Sequence, residues 1–277
     1  MIYNMTNDTY LVMRYSLCCV TSNLTTRETR MLHIHSTLFF LHIVVGTAAL
    51  ILFWVPLLTK KGQLKHKKFG RAYRNVMYCV AATGAVMAVM VIAMPLAVKP
   101  QLANAPNAAI VIENVRYFWL FLLYLALLSY TTTRHGDAVL KAANNRSLLR
   151  KVSYVSPLAM LALGGLVFIA IGIVREQTLH LLFGILGSCA GISMLRYVLC
   201  NNIRPGGYLL EHIGSMIGSG IGAYTAFAAF GGRHLLSGIG EYQIIFWIAP
   251  AVLGSLLSAH LTKKYKKVYR VGEIAEA

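Results

Sequence analysis

The stretch LHIHSTLFFLHIVVGTAALILFWVPLLTKKGQLKHKKFGRAY, residues 32–73, decides the fold. Positions 36–58 hold one histidine and no charge across 23 residues. A helix needs ~20 apolar residues, at ~1.5 Å rise each, to cross ~30 Å of hydrocarbon, so this run is long enough to span a bilayer. It ends at Lys60-Lys61-Gly62-Gln63-Leu64-Lys65-His66-Lys67-Lys68-Phe69-Gly70-Arg71, a basic turn of the kind that stops at a charged membrane face.

Working outward, six further apolar runs follow, at about 76–98, 115–133, 152–174, 179–199, 208–230 and 242–261. The expected fold class is all-α, a polytopic transmembrane helix bundle of about seven spans. Apolar residues make up 57% of the chain and charged residues 13%, against about 25% charged in a globular domain. The formal charge of +17 would suggest nucleic acid in a soluble protein. Here the basic residues lie between apolar runs, so the expected partner is the lipid bilayer and no nucleic acid. Loops on one side carry 19 Lys and Arg and those on the other carry 7. The bias alternates with each crossing, which predicts an outside N-terminus and a cytoplasmic C-terminus in a bacterial-type inner membrane.

Residues 1–31 are too short in apolar content to span, being interrupted by Arg14, and carry no small-x-small cleavage site. They are expected to form a mobile tail, with an over-extended start before Met31 as the alternative. Residues 32–261 form the membrane domain, and 262–277 a basic cytoplasmic tail. Pro95 is expected to bend the second span in its last turn, and Pro157 to sit in the first turn of the fourth. The four residues Arg175 to Thr178 make the fourth and fifth spans an antiparallel hairpin.

Five cysteines contain no C-x-x-C pair and are expected to pack rather than react. No Asp or Glu lies in the middle of a span, which argues against an ion-coupled carrier. No H-E-x-x-H, G-x-S-x-G or phosphate-binding glycine loop supports a hydrolase or ATPase.

Two residue classes remain. Glycines recur three and four apart in the fifth span as Gly184, Gly187 and Gly191, and four apart in the sixth as Gly214, Gly218 and Gly222. Small residues at this spacing let helices approach closely; the rival reading is a groove for a flat ligand. Histidines with a glycine four residues on occur at His42, His66 and His180, an arrangement that suits either close packing or a haem axial ligand. His42 lies inside a span, where a polar residue needs a partner or a function. His33, His135, His234 and His260 lie near the expected span ends and carry no special expectation.

The order Leu41-His42-x3-Gly46 then His66 parallels Leu179-His180-x3-Gly184 then His212. This faint duplication resembles transmembrane b-type cytochromes, including the cytochrome b-561 family. The resemblance implies haem b held by His42 and His180 at an outer level and by His66 and His212 at an inner one, with electron transfer across the membrane. Depth weighs against the outer pairing, because His42 stands about nine residues into its run and His180 at the start of its own; His35 matches His180 better. His66 and His212 show a similar mismatch. The alternative is a cofactor-free transport or assembly component for a small neutral solute or a partner protein. A redox partner or a second copy of the chain is the further expected contact.

Residues 66–73, His66-Lys67-Lys68-Phe69-Gly70-Arg71-Ala72-Tyr73, together with Leu41-His42-x3-Gly46, resemble bacterial membrane proteins of the domain-of-unknown-function 2306 type. The segment from His212-x3-Met216 to Tyr224-Thr225-Ala226-Phe227 is similar to a late helix of such proteins. Arg134-His135-Gly136-Asp137 matches only the approach to their usual His-Arg-x-Trp-Met run. The resemblance implies a membrane location and no defined activity.

Overall fold

A computed structural model describes residues 5–200, 204–232 and 244–272, with side chains for 29–200, 204–230 and 245–272. Among these the secondary structure is entirely helical, in seven long elements. They are α1 (Met5–Leu58), α2 (Leu64–Ala93), α3 (Ala108–Ala142), α4 (Val152–Val174), α5 (Thr178–Leu199), α6 (Gly207–Ala226) and α7 (Ile244–Val268). Each holds a stretch long and apolar enough to cross a membrane, that of α1 being Thr29–Leu58. An integral, multi-pass membrane protein is the architecture these helices fit. The side chains of 1–28, where the tail was expected, lie outside the described residues, as do His234 and the last five residues of the basic tail.

The helices form two groups that share α3. In the first, α1 packs on α2, α2 on α3, α3 on α6 and α6 back on α1, with α7 added outside α6. Its core is Ala49, Phe53, Tyr73 and Met77. In the second, the hairpin of α4 and α5 packs on α3 around Phe121, Tyr124, Leu158, Leu161 and Phe168. Tyr124 of α3 donates to the Leu161 carbonyl at 3.0 Å, so the join is polar as well as apolar.

Several positions differ from the sequence reading. The second helix begins at Leu64, twelve residues before the apolar run, because its first turns need not be apolar where they leave the bilayer. The third continues to Ala142 through a segment expected as loop. Its charges are neutralised on the helix: Asp137 pairs with Lys141 at 2.7 Å and with Arg74 of α2 at 2.9 Å. Pro157 stands at the sixth position of α4, one turn later than expected. Its missing N–H leaves the Ser153 carbonyl without its helical donor, and Arg134 supplies one at 3.0 Å. The break near Pro95 falls at Met94, which leaves helical geometry with φ −135° before a new turn over Pro95–Val98, as steric clash with a following proline dictates.

Candidate polar centre at the basic end

Helices α2 and α6 both start at the end of the bundle that carries the basic loops and run parallel, diagonal to each other in the first group. His66 is the third residue of α2 and His212 the sixth of α6. Their depths are therefore closer than the apolar runs suggested, and their ring centres lie 6.4 Å apart, nearly perpendicular. Seven residues further along both helices, Tyr73 and Ser219 meet across the same diagonal at 2.9 Å. Both are buried. The equal spacing makes two stacked polar layers about two helical turns apart.

Backbone carbonyls fix the two imidazoles. His66 Nδ1 lies 2.9 Å from the Pro56 carbonyl and His212 Nδ1 2.7 Å from the Gly136 carbonyl. A carbonyl only accepts, so each Nδ1 carries the proton and each Nε2 keeps its lone pair. The Pro56 carbonyl also accepts from Lys61 Nζ at 3.0 Å, bringing a cation beside His66. Gly136 lies tightly against Met216: a Cβ there would stand 2.7 Å from Met216 Sδ, so that side chain would have to move. That close approach brings its carbonyl within reach of His212.

One residue next to Gly136, the chain buries His135 completely. Its Nδ1 meets the Tyr154 hydroxyl at 2.7 Å and its Nε2 the Glu211 carboxylate at 3.0 Å. His135–Glu211 and Gly136–His212 are thus two consecutive rungs between α3 and α6, while Tyr154 extends the first rung to α4. Sequence reasoning passed over His135 because it was expected in a loop. The signal that finds it is helical: His135 and Thr131, four residues apart on one face, are both buried.

The other two histidines have different surroundings. His42 Nδ1 lies 2.9 Å from Thr83 Oγ1 at the α1–α2 interface. Thr83 directs its own proton to the Cys79 carbonyl, so the imidazole donates. His180 sits among Phe121 and Phe168, with ring centres at 5.1 and 5.5 Å. Its Nε2 is 3.4 Å from the Tyr117 carbonyl, and its buried Nδ1 has no partner. His42 and His180 thus belong to different interfaces, whereas the His66 and His212 rings are neighbours across the α2–α6 diagonal. His35, the depth match for His180, packs edge-on against Trp119 instead.

Ligand number narrows what the facing pair suits. Two imidazole nitrogens each ~2.0–2.1 Å from one ion and opposite each other stand roughly 4 Å apart, which puts the ring centres roughly 6 Å apart. No group of three or more His, Cys, Asp or Glu is placed to hold a metal among the described residues. A bare zinc site takes three or four protein ligands. Two imidazoles, each anchored through Nδ1–H as metal-binding histidines usually are, would suit a group that brings further ligands of its own, such as a haem, which would supply one-electron chemistry. Beside His66, Gly70 has nothing within 4 Å of its Cβ position, which leaves space on that side. No family model, curated protein or solved structure matches this chain.

Proposed function

We propose that this protein lies in a cytoplasmic membrane with its N-terminus outside and holds one b-type haem near the cytoplasmic face, between His66 and His212, as a one-electron carrier. The observation that carries the reading is the facing pair, 6.4 Å between ring centres, with both Nδ1 positions tied to carbonyls. The resemblance to transmembrane cytochromes b and the charge bias of the loops support it. When bound, the haem iron supplies one-electron chemistry. His66 and His212 bind through Nε2, and the Pro56 and Gly136 carbonyls hold their tautomers and raise their basicity. Lys61 offers a cation to an acidic edge of the ligand. Tyr73 and Ser219 close the centre on its membrane side. His42 and His180 have structural roles in this reading, which makes the centre single and leaves the second electron-transfer step to a redox partner.

A cofactor-free reading draws on a different observation. Gly218 has only Thr132, at 4.0 Å, near its Cβ position, so the α6 face toward α3 has room there for a small neutral solute. An optical spectrum of detergent-purified protein, expressed with ample haem and recorded before and after dithionite, separates the two. The haem reading expects a Soret band and sharp α and β bands, abolished in His66→Ala and His212→Ala and retained in His42→Ala and His180→Ala. A folded, colourless wild-type protein overturns it.

A further inference from the structure

Helix α7 packs on α6 along one edge, and Ile245, Ile248, Val252, Leu253 and Leu256 on its other sides are exposed. The two helices touch where Gly254 of α7 meets the Ile221 side chain. Toward the basic end from that contact, the small residues Gly214 and Ala259 leave the space between the two helices open. The result is a groove of about 600 Å³. Gly214 and Ile221 form one wall, Ser255 and Ala259 the other, and Lys263 and Lys266 flank the mouth.

Dimensions and charge define the occupant. Ser255 and Lys266 are eleven residues apart, about 16 Å along a helix. That matches one leaflet, about half of the ~30 Å hydrocarbon core. Lys263 and Lys266, three apart, share a helix face, and neither is paired with a carboxylate among the described residues. Lys61 and Lys264 add charge beside them, both lying over the Tyr265 ring at 5.9 and 5.8 Å. Burial, and then the nearness of Lys264, hold the Lys61 ammonium below the ordinary lysine value. The two ammonium groups at the mouth attract an anion.

The geometry points to a binding site for one anionic phospholipid between α6 and α7, with an acyl chain along the groove and the headgroup phosphate at Lys263 and Lys266. Basic pockets between membrane helices hold such headgroups, each lysine contributing to the attraction. A zwitterionic lipid brings its own ammonium to a site that already holds two. No groove-lining residue belongs to the haem centre, and Lys61, which that reading also uses, is left intact in the variants below.

Native mass spectrometry of delipidated protein, titrated with phosphatidylglycerol or with phosphatidylethanolamine of the same chains, tests it. Phosphatidylglycerol is expected to bind the wild type more tightly. The double variant Lys263→Gln/Lys266→Gln should weaken that binding roughly thirtyfold, while Lys267→Gln, outside the groove, leaves it unchanged. Gly214→Leu keeps every charge and fills the groove, so it should also lose the lipid. Equal binding of the two lipids, undiminished binding in folded Gly214→Leu, or competition by chain-free glycerol phosphate overturns the site. Should Gly214→Leu fail to fold, the lysine pair and the lipid comparison decide alone.

Discussion

The glycine strips of α5 and α6 have closely similar spacing and opposite fates. In α5, a Cβ at Gly184 would stand 2.8 Å from the Gly165 carbonyl and one at Gly191 2.7 Å from the Ala162 amide nitrogen. The backbones of α4 and α5 are in contact there, and Ser188 adds a hydrogen bond to the Ala162 carbonyl at 3.0 Å. In α6, by contrast, Gly214, Gly218 and Gly222 have no neighbour nearer than 3.5 Å to their Cβ positions. There a tight contact between α3 and α6 lies at Gly136, against Met216 and Ser215, and not on the strip itself. A small residue therefore permits close packing, and the opposite helix decides whether it happens. Where it happens the helices meet backbone to backbone; where it does not, the chain keeps histidines, a carboxylate and open space.

The largest test of this contrast is the double variant Gly184→Ala/Gly191→Ala. Both methyl groups meet backbone, which cannot rotate away, so each is expected to cost about 1–3 kcal/mol. The measurement is the unfolding midpoint in mixed detergent, and an unchanged midpoint would mean that the hairpin is not closed. Next comes His135→Ala, which removes the rung joining the hairpin to α6 through Tyr154 and Glu211. It leaves two polar groups unpaired at about 1–3 kcal/mol for each that stays buried, and amide exchange at the start of α4 should rise while that of α1 stays constant. The smallest effect belongs to Gly218→Ala. Its Cβ meets only Thr132 at 4.0 Å, and Ala is favoured over Gly in a helix by about 1 kcal/mol, so the midpoint should hold or rise slightly. A large loss there would show that α3 and α6 are as tightly closed as α4 and α5.

Much of the layout was legible before any coordinates. Apolar runs of bilayer length gave the number of spans, and the short turn from Arg175 to Thr178 gave the hairpin. The candidate centre was less legible. His66 was placed in a solvated turn because Lys65, Lys67 and Lys68 surround it, yet a helix can carry lysines on its outer face and a histidine on its inner one. His135 was hidden by Arg134, Asp137 and Lys141, whose charge resembles loop composition until Arg74 is seen pairing with Asp137 from another helix. Hydropathy marks where a helix meets lipid, and it is blind to the turns that extend beyond.

The sequence by itself determined that the chain is a bundle of membrane-length helices, because each span satisfies its own backbone hydrogen bonds and the cost of burying charge in hydrocarbon marks its ends locally. Which histidines face each other was decided only by the tertiary structure. Lipid supplies no hydrophobic drive between helices, so their pairing rests on contacts between residues far apart in the chain, such as Gly136 with Met216 and Tyr73 with Ser219. Those contacts set His66 opposite His212, and they leave His42 and His180 in separate interfaces.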